Sequence, residues 1–163
     1  TTALVKLLRL QQITGGFVPG ATEGSQGVDI GSSKVEALMD ILDELEGHKV
    51  VVWCRFRDEI RKIVHALQKA KRDHVVFMGD TSGDDRLEAI KTFQREDGKN
   101  TVFVGTIQTG GVGITLTQAS YMVYYSNTWS LADRIQSEDR IHRIGQKNSC
   151  VYYDLIVKGT PWE

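Results

Sequence analysis

The chain has 163 residues, within the usual range of one domain and long enough to bury a single continuous core. Its 40% hydrophobic and 25% charged residues are ordinary for a soluble globular protein and set aside disordered, collagen-like and coiled-coil classes. Lys and Arg total 20 against 21 Asp and Glu, a net charge of -1, so no global field attracts a polyanion and any nucleic-acid contact must be local.

Residues Ala3 to Ile13 place Leu4, Leu7, Leu8 and Leu10 at helical spacing until Thr14, Gly15 and Gly16 stop the pattern. The stretch from Gly15 to Ser32 is rich in glycine and poor in large side chains, and it reads as a long, mobile surface loop. Residues 1–32 are therefore expected to be a helix and connector, with the main domain over 33–163. Ser33 followed by Glu36 has the form of a capping box, and Val35, Leu38, Met39, Ile41, Leu42 and Leu45 supply the helical stripe after it.

From there compact apolar runs alternate with amphipathic stretches. Strands are expected at Lys49 to Cys54, Val75 to Met78, Thr101 to Gly105, Tyr121 to Tyr125 and Val151 to Val157. Helices are expected at Asp58 to Ala70, Asp84 to Arg95 and, capped by Ser130, on to Ile144. Strands separated by helices of this length imply right-handed crossovers, so the fold class is α/β with a mainly parallel sheet covered on both faces. No apolar run approaches the roughly 18 to 20 residues of a membrane span, no signal peptide is apparent, and a cytosolic protein is expected. Cys54 and Cys150 have no His or Cys partner at metal-ligand spacing and read as buried thiols.

In such a sheet the ligand lies beyond the carboxyl ends of the strands. After the strand ending at Gly105, the spacing to Gly110 opens like a P-loop, but Gly111 and Val112 stand where Lys and Ser or Thr must follow to grip phosphates. Nor does any strand lead into D-E-x-H or D-E-x-D, the acidic pair that holds magnesium. Gly110, Gly111 and Gly113 could bring backbone amides close to an anion or simply form a tight turn. On the helix after Ser130, Gln136, Arg140 and Arg143 fall at i, i+4 and i+7 and share one face. Arginine forks suit phosphate oxygens, and a guanidinium on the developing charge of phosphoryl transfer is worth about 10³ to 10⁵ in rate. The same residues could equally be solvated partners of Asp133, Glu138 and Asp139. Basic clusters at Arg55, Arg57, Arg61 and Lys62 and at Lys69, Lys71 and Arg72 read as solvated helix faces.

The string QSEDRIHRIGQ, Gln136 to Gln146, resembles the last signature motif of Swi/Snf-type superfamily 2 DNA-dependent ATPases. TIQTGGVGITLTQAS, Thr106 to Ser120, resembles the preceding motif, and Trp129 stands where that family has its Trp between the two. SSKVEALMDILDEL with KVVVWCRF, and GDTSGDDRLEAIKTF with Gly79, Thr81, Ser82, Arg86 and Phe93, resemble earlier motifs in the right order. The resemblance covers about residues 33 to 157. It implies a second RecA-like lobe closing on ATP and Mg²⁺ held by a first lobe of the same polypeptide, with none bound by this lobe alone. Arg143 is then the arginine finger, with Arg140 and Gln136 beside it and Gly111 and Gly113 near the nucleotide. It further implies that Thr106, Gln108, Thr109 and Gly110, with Arg55, Thr81 and Ser82, hold DNA, expected to be duplex, through its phosphates. The sequence departs from the family's usual residues at Gln108 (Lys or Arg), Thr109 (Ala), Thr115 (Asn), Ser126 (Asp), and Ser130 and Leu131 (Asn-Pro). A compact bacterial or phage-type member is expected, cytoplasmic in that case and nuclear in a eukaryote. The alternatives left open are a lobe of another superfamily 2 DNA or RNA helicase and a stand-alone nucleic-acid-binding module. A Rossmann cofactor enzyme is disfavoured, because G-x-G-x-x-G is missing after the first strand.

Overall fold

A computed structural model describes residues 2–20, 27–79, 82–99, 101–109 and 113–160. In chain order these form α1 (Ala3–Thr14), β1 (Phe17–Val18), β2 (Val28–Asp29), α2 (Ser33–Glu44), β3 (Val50–Cys54), α3 (Arg57–Lys69), β4 (His74–Phe77), α4 (Gly83–Gln94), β5 (Val102–Thr106), β6 (Tyr121–Tyr124), α5 (Leu131–Glu138) and β7 (Val151–Asp154). Among the described residues the main sheet has five strands in the order β4-β5-β3-β6-β7, every pair parallel. The expected α/β architecture with a parallel sheet is therefore present.

The central strand explains the layering. All five residues of β3 are buried, and alternate side chains go to opposite faces. Val50, Val52 and Cys54 join Leu38 and Leu42 of α2 and Ile60, Ile63 and Leu67 of α3 in one apolar layer. Val51 and Trp53 join Phe77, Phe103, Leu116, Met122, Phe93 of α4 and Ile141 in the other. Phe103 lies at the middle of that second layer, with ring centroids 5.9 Å from Trp53, 5.5 Å from Phe77 and 5.3 Å from Phe93. Gly105 is needed there, since a Cβ on it would lie 3.0 Å from both the Phe77 carbonyl oxygen and Trp53 Cζ3. The chain leaves β3 for the outer strand β4, returns through β5, and crosses to β6 on the other side of β3. The loops after β3, β5 and β6 thus meet at one end of the sheet, where strand order reverses.

Three expectations need correction. First, the stretch from Gly15 to Ser32 is not wholly loop: β1 and β2 pair antiparallel, Phe17 opposite Asp29. Phe17 is buried with its ring 5.5 Å from that of Phe56, and Lys62 Nζ donates to the carbonyl oxygens of Gly16 and Gly31 and to Asp29. Second, Ser32, not Ser33, stands at the N-cap of α2, and its hydroxyl donates to the Glu36 carboxylate at 2.6 Å without accepting from a helix amide. Third, Cys54 is buried but Cys150 is only partly so. Of the basic clusters expected to be solvated helix faces, Arg61 is exposed beside Asp58, whereas Lys62, paired with Asp29, and Arg72, paired with Asp43, are largely covered. No helix of the described residues is long and apolar enough to cross a membrane.

Candidate nucleotide and nucleic-acid site

The helix after Ser130 is much shorter than its periodicity suggests. The Ser130 hydroxyl accepts from the Asp133 amide at 3.2 Å, but α5 ends at Glu138 with Asp139 as its C-cap. Three competing interactions stop it. The Arg140 carbonyl accepts from the Leu116 amide at 2.9 Å instead of continuing the helical ladder. Ile141 turns inward and is fully buried in the second apolar layer. Gly145 takes φ +104°, a conformation L side chains rarely adopt, and the side-chain Nε2 of Gln146 lies 2.7 to 3.3 Å from the carbonyls of Thr117, Ala119 and Ile141. Residues 139–146 are therefore a compact turn tied to the segment after the glycine loop.

As a result Gln136, Arg140 and Arg143 do not share a helical face, contrary to the sequence reading. Gln136 is exposed on α5, Arg140 is buried at 6% exposure, and Arg143 is exposed on the turn. The two arginines remain neighbours along one strip of backbone: Arg140 Nη1 donates to the Ile114 carbonyl at 3.4 Å and Arg143 Nη1 to the Thr115 hydroxyl at 3.1 Å. Arg140 Nε is buried and has no acceptor among the described residues. Burial first, and then the charge of Arg143, push the Arg140 guanidinium's pKa down. Both features mark an under-neutralised cation beside an exposed second one, an arrangement that favours an incoming anion. Gly113 stands immediately before Ile114, with open space where its Cβ would be.

The proposed backbone-holding residues fall at the ends of β3, β4 and β5. Thr109 Oγ1 donates to the Thr106 carbonyl and receives the Thr106 hydroxyl, both at 2.7 Å, so the Thr109 proton is committed within the loop. Gln108 is exposed, and with Arg55 and Thr128 it lines a small cavity of about 30 Å³ beside Cys54 and Ile107. Arg55 Nη1 donates to Gln11 Oε1 of α1 at 2.7 Å. Ser82 caps α4, accepting from the Asp85 amide at 3.2 Å. A Cβ on Gly79 would lie 3.4 Å from Thr109, so the loops after β4 and β5 are adjacent. Thr81, Gly110 and Gly111 lie outside the described residues.

The sequence profile of the helicase conserved C-terminal domain matches residues 33–145. The chain belongs to that family. It is 38% identical over 133 residues to the DNA excision repair protein ERCC-6-like of Homo sapiens, covering 79% of this chain and 10% of that protein. Identity is 32% over 141 residues to an uncharacterized ATP-dependent helicase of Mycoplasma pneumoniae, 85% of this chain and 14% of that one. It is 30% over 127 residues to the ISWI chromatin-remodeling complex ATPase ISW1 of Saccharomyces cerevisiae, 77% of this chain and 11% of that one. A crystal structure of the C-terminal part of the Fun30 ATPase domain matches with a TM-score of 0.73 at 26% identity, over 78% of this chain and 41% of that chain. The lobe thus has Swi/Snf-type relatives and spans about a tenth of the length of the curated relatives it matches.

Several positions where this helicase C-terminal lobe departs from the usual motif residues are used inside the fold. Ser126 donates to Glu59 Oε2 at 2.5 Å and accepts from the Arg55 amide at 2.7 Å, a place where a second carboxylate would face Glu59. Glu59 also accepts from the Arg55 and Phe56 amides at 3.2 and 3.1 Å, satisfying the start of α3. Thr115 supplies the hydroxyl that receives Arg143. The sequence reading singles out neither Glu59 nor Arg134. Glu59 at the third position of α3 is a visible N-terminal signal, and Arg134 four residues before Glu138 is a visible helical pair.

Proposed function

We propose that the lobe is the second half of an ATP-dependent DNA translocase and supplies arginine to a nucleotide that a first lobe of the same polypeptide holds. The observation that carries this reading is the pair of neighbouring guanidiniums, Arg140 buried with an Nε that has no acceptor among the described residues and Arg143 exposed 3.1 Å from Thr115. Their chemistry fits phosphate oxygens, whereas Gly111 and Val112 offer no lysine or hydroxyl to cradle a nucleotide without help. When bound between the lobes, ATP with Mg²⁺ supplies the transferable phosphoryl group. Arg143 neutralises charge at its oxygens, Arg140 holds the turn and adds positive potential, and Gln136, Gly111 and Gly113 are the further residues assigned to the nucleotide. Leu131 and Ile135 on α5 and Ile144 on the turn are exposed apolar side chains, a surface suited to a covering first lobe. The fragment alone is therefore inactive.

DNA is held through its phosphates by Gln108, Gly110 and Arg55, with Thr81 and Ser82 at the neighbouring loop, and by Thr106 and Thr109 once the bonds between their hydroxyls and within the loop give way to phosphate oxygens. The absence of a net positive charge makes this a local grip of a few contacts. Duplex binding by the lobe is expected to be weak, with a log–log salt slope of about -2 to -4 for two to four neutralised phosphates. Fluorescence anisotropy across a salt series measures it, and tight binding with a slope near zero would contradict a phosphate-holding surface. The arginine role is tested by Arg143→Ala in the two-lobed protein, where turnover must collapse.

A further inference from the structure

Little apolar packing holds α5. Eight residues are too few for a helix stable by itself. Leu131 and Ile135 are 72% and 51% exposed, and the only buried residue of the helix is Ser137. Yet the turn that carries Arg140 and Arg143 grows directly from its C-terminus, with the Arg140 and His142 amides donating to Ser137 and Glu138 carbonyls at 3.2 and 3.0 Å. A displacement of α5 therefore pulls on the start of the turn, against its own ties to the segment from Ile114 to Ala119.

One side chain supplies the missing anchorage. Arg134 Nε donates to Glu138 Oε1 at 2.6 Å, Nη1 to Asn127 Oδ1 at 2.8 Å and to Asp154 Oδ1 at 2.6 Å, and Nη2 to Asp154 Oδ2 at 3.2 Å. Its guanidinium lies 3.5 Å from the centroid of the Tyr124 ring, and the Tyr124 hydroxyl donates to Ser137 Oγ at 2.6 Å, while the Ser137 hydroxyl donates to the Arg134 carbonyl at 2.7 Å. Tyr124 ends β6, Asn127 follows it, and Asp154 ends β7, so one guanidinium ties α5 to two strand ends. The bidentate fork on Asp154 fixes orientation as well as distance. Asp154 is held below the usual carboxylate range, because the bonds from Arg134 and Asn127 outweigh the cost of its burial. Asn127 also accepts on its carbonyl from Gln11 of α1 at 2.6 Å, which stiffens the loop the clamp grips.

We propose that Arg134 is a positioning residue for the arginine turn, clamping α5 to the ends of β6 and β7 so that Arg143 is presented in one fixed geometry. Its kinetic consequence rests on the reading of Arg143 as the finger; its mechanical consequence does not. The test uses the two-lobed protein with ATP and duplex DNA. Arg134→Met keeps a stem against Tyr124 but removes the fork, and Asp154→Asn weakens the clamp from the other side. Amide exchange of residues 140–143 is expected to quicken by about tenfold or more while the amides of β3 and β5 are unchanged. A misplacement of about 1 Å is expected to lower kcat by about a hundredfold, with the ATP KM shifted less than threefold. Arg134→Lys restores the charge but not the fork and recovers only part of the rate. On an Arg143→Ala background, Arg134→Met adds little further loss, since both act through one group. Unchanged exchange at 140–143, or equal quickening across the sheet, overturns the clamp. Wild-type kcat in Arg134→Met where Arg143→Ala is inactive overturns it too. Local quickening with wild-type turnover in both variants keeps the clamp and removes the finger instead.

Discussion

Arg143→Ala in the two-lobed protein is expected to lower DNA-stimulated ATP turnover by about 10³-fold or more, with the ATP KM changed by less than about threefold. The asymmetry follows from position. Arg143 is an exposed residue on a turn held by the buried Arg140 and Ile141 and by the Gln146 side chain, so removing its side chain leaves Ile141 and the Gln146 ties in place. On the proposed finger role, what is lost is a guanidinium that meets charge growing only as the phosphoryl group transfers, and such a loss falls on kcat. Arg140 behaves differently. Its side chain is buried against the Ile114 carbonyl, so Arg140→Ala also loosens the turn and mixes stability with rate. Steady-state kinetics with urea unfolding of the same samples separates the two. A fully active Arg143→Ala protein would remove the finger role.

Glu59→Ala is expected to destabilise the lobe by about 3 kcal/mol, from a lost helix-start acceptor and buried donors left unpaired. Glu59 is fully buried, and its Oε2 receives the Arg55 and Phe56 amides and the Ser126 hydroxyl. Ser126 Oγ still serves the Arg55 amide in the variant, which limits the loss. Glu59→Gln should be far milder, because its amide oxygen can still receive the backbone. The pH dependence carries the sign. Burial raises the Glu59 pKa, opposed by the bond from Ser126, the Phe56 amide, the Lys34 charge and the Arg55 amide. The folded lobe therefore binds this proton more tightly than the unfolded chain. That contribution is complete below the unfolded value of about 4.3 and is lost as pH rises through the folded value. Glu59→Gln lacks this loss, so its stability relative to the parent should rise with pH over that window in urea titrations. A relative stability that is flat or falls would mean the carboxylate is at ease when charged.

Much of this was legible from short-range pattern. KVVVWC announced β3 because a strand covered on both faces has no need to alternate, and the eleven-residue string ending at Gln146 pointed to the helicase lobe. The arginine helix misled because periodicity cannot see the Leu116 amide that takes the Arg140 carbonyl, nor the apolar layer that draws Ile141 inward. The connector misled for a similar reason: Phe17 is buried by Phe56, a residue remote in sequence. The anchors of the site were hidden by distance along the chain. Ser126 meets Glu59 across 67 positions, and Asp154 meets Arg134 across 20. Each residue alone is an ordinary polar group; only the fold makes it a partner.

The claim that this lobe acts on a nucleotide held elsewhere is tested most directly by measuring DNA-stimulated ATP hydrolysis by residues 1–163 alone and by the same residues joined to the first lobe. The lobe alone should stay at background at every DNA concentration, and the joined protein should turn over ATP in a manner that depends on Arg143. Hydrolysis by the isolated lobe that survives Arg143→Ala would contradict the account.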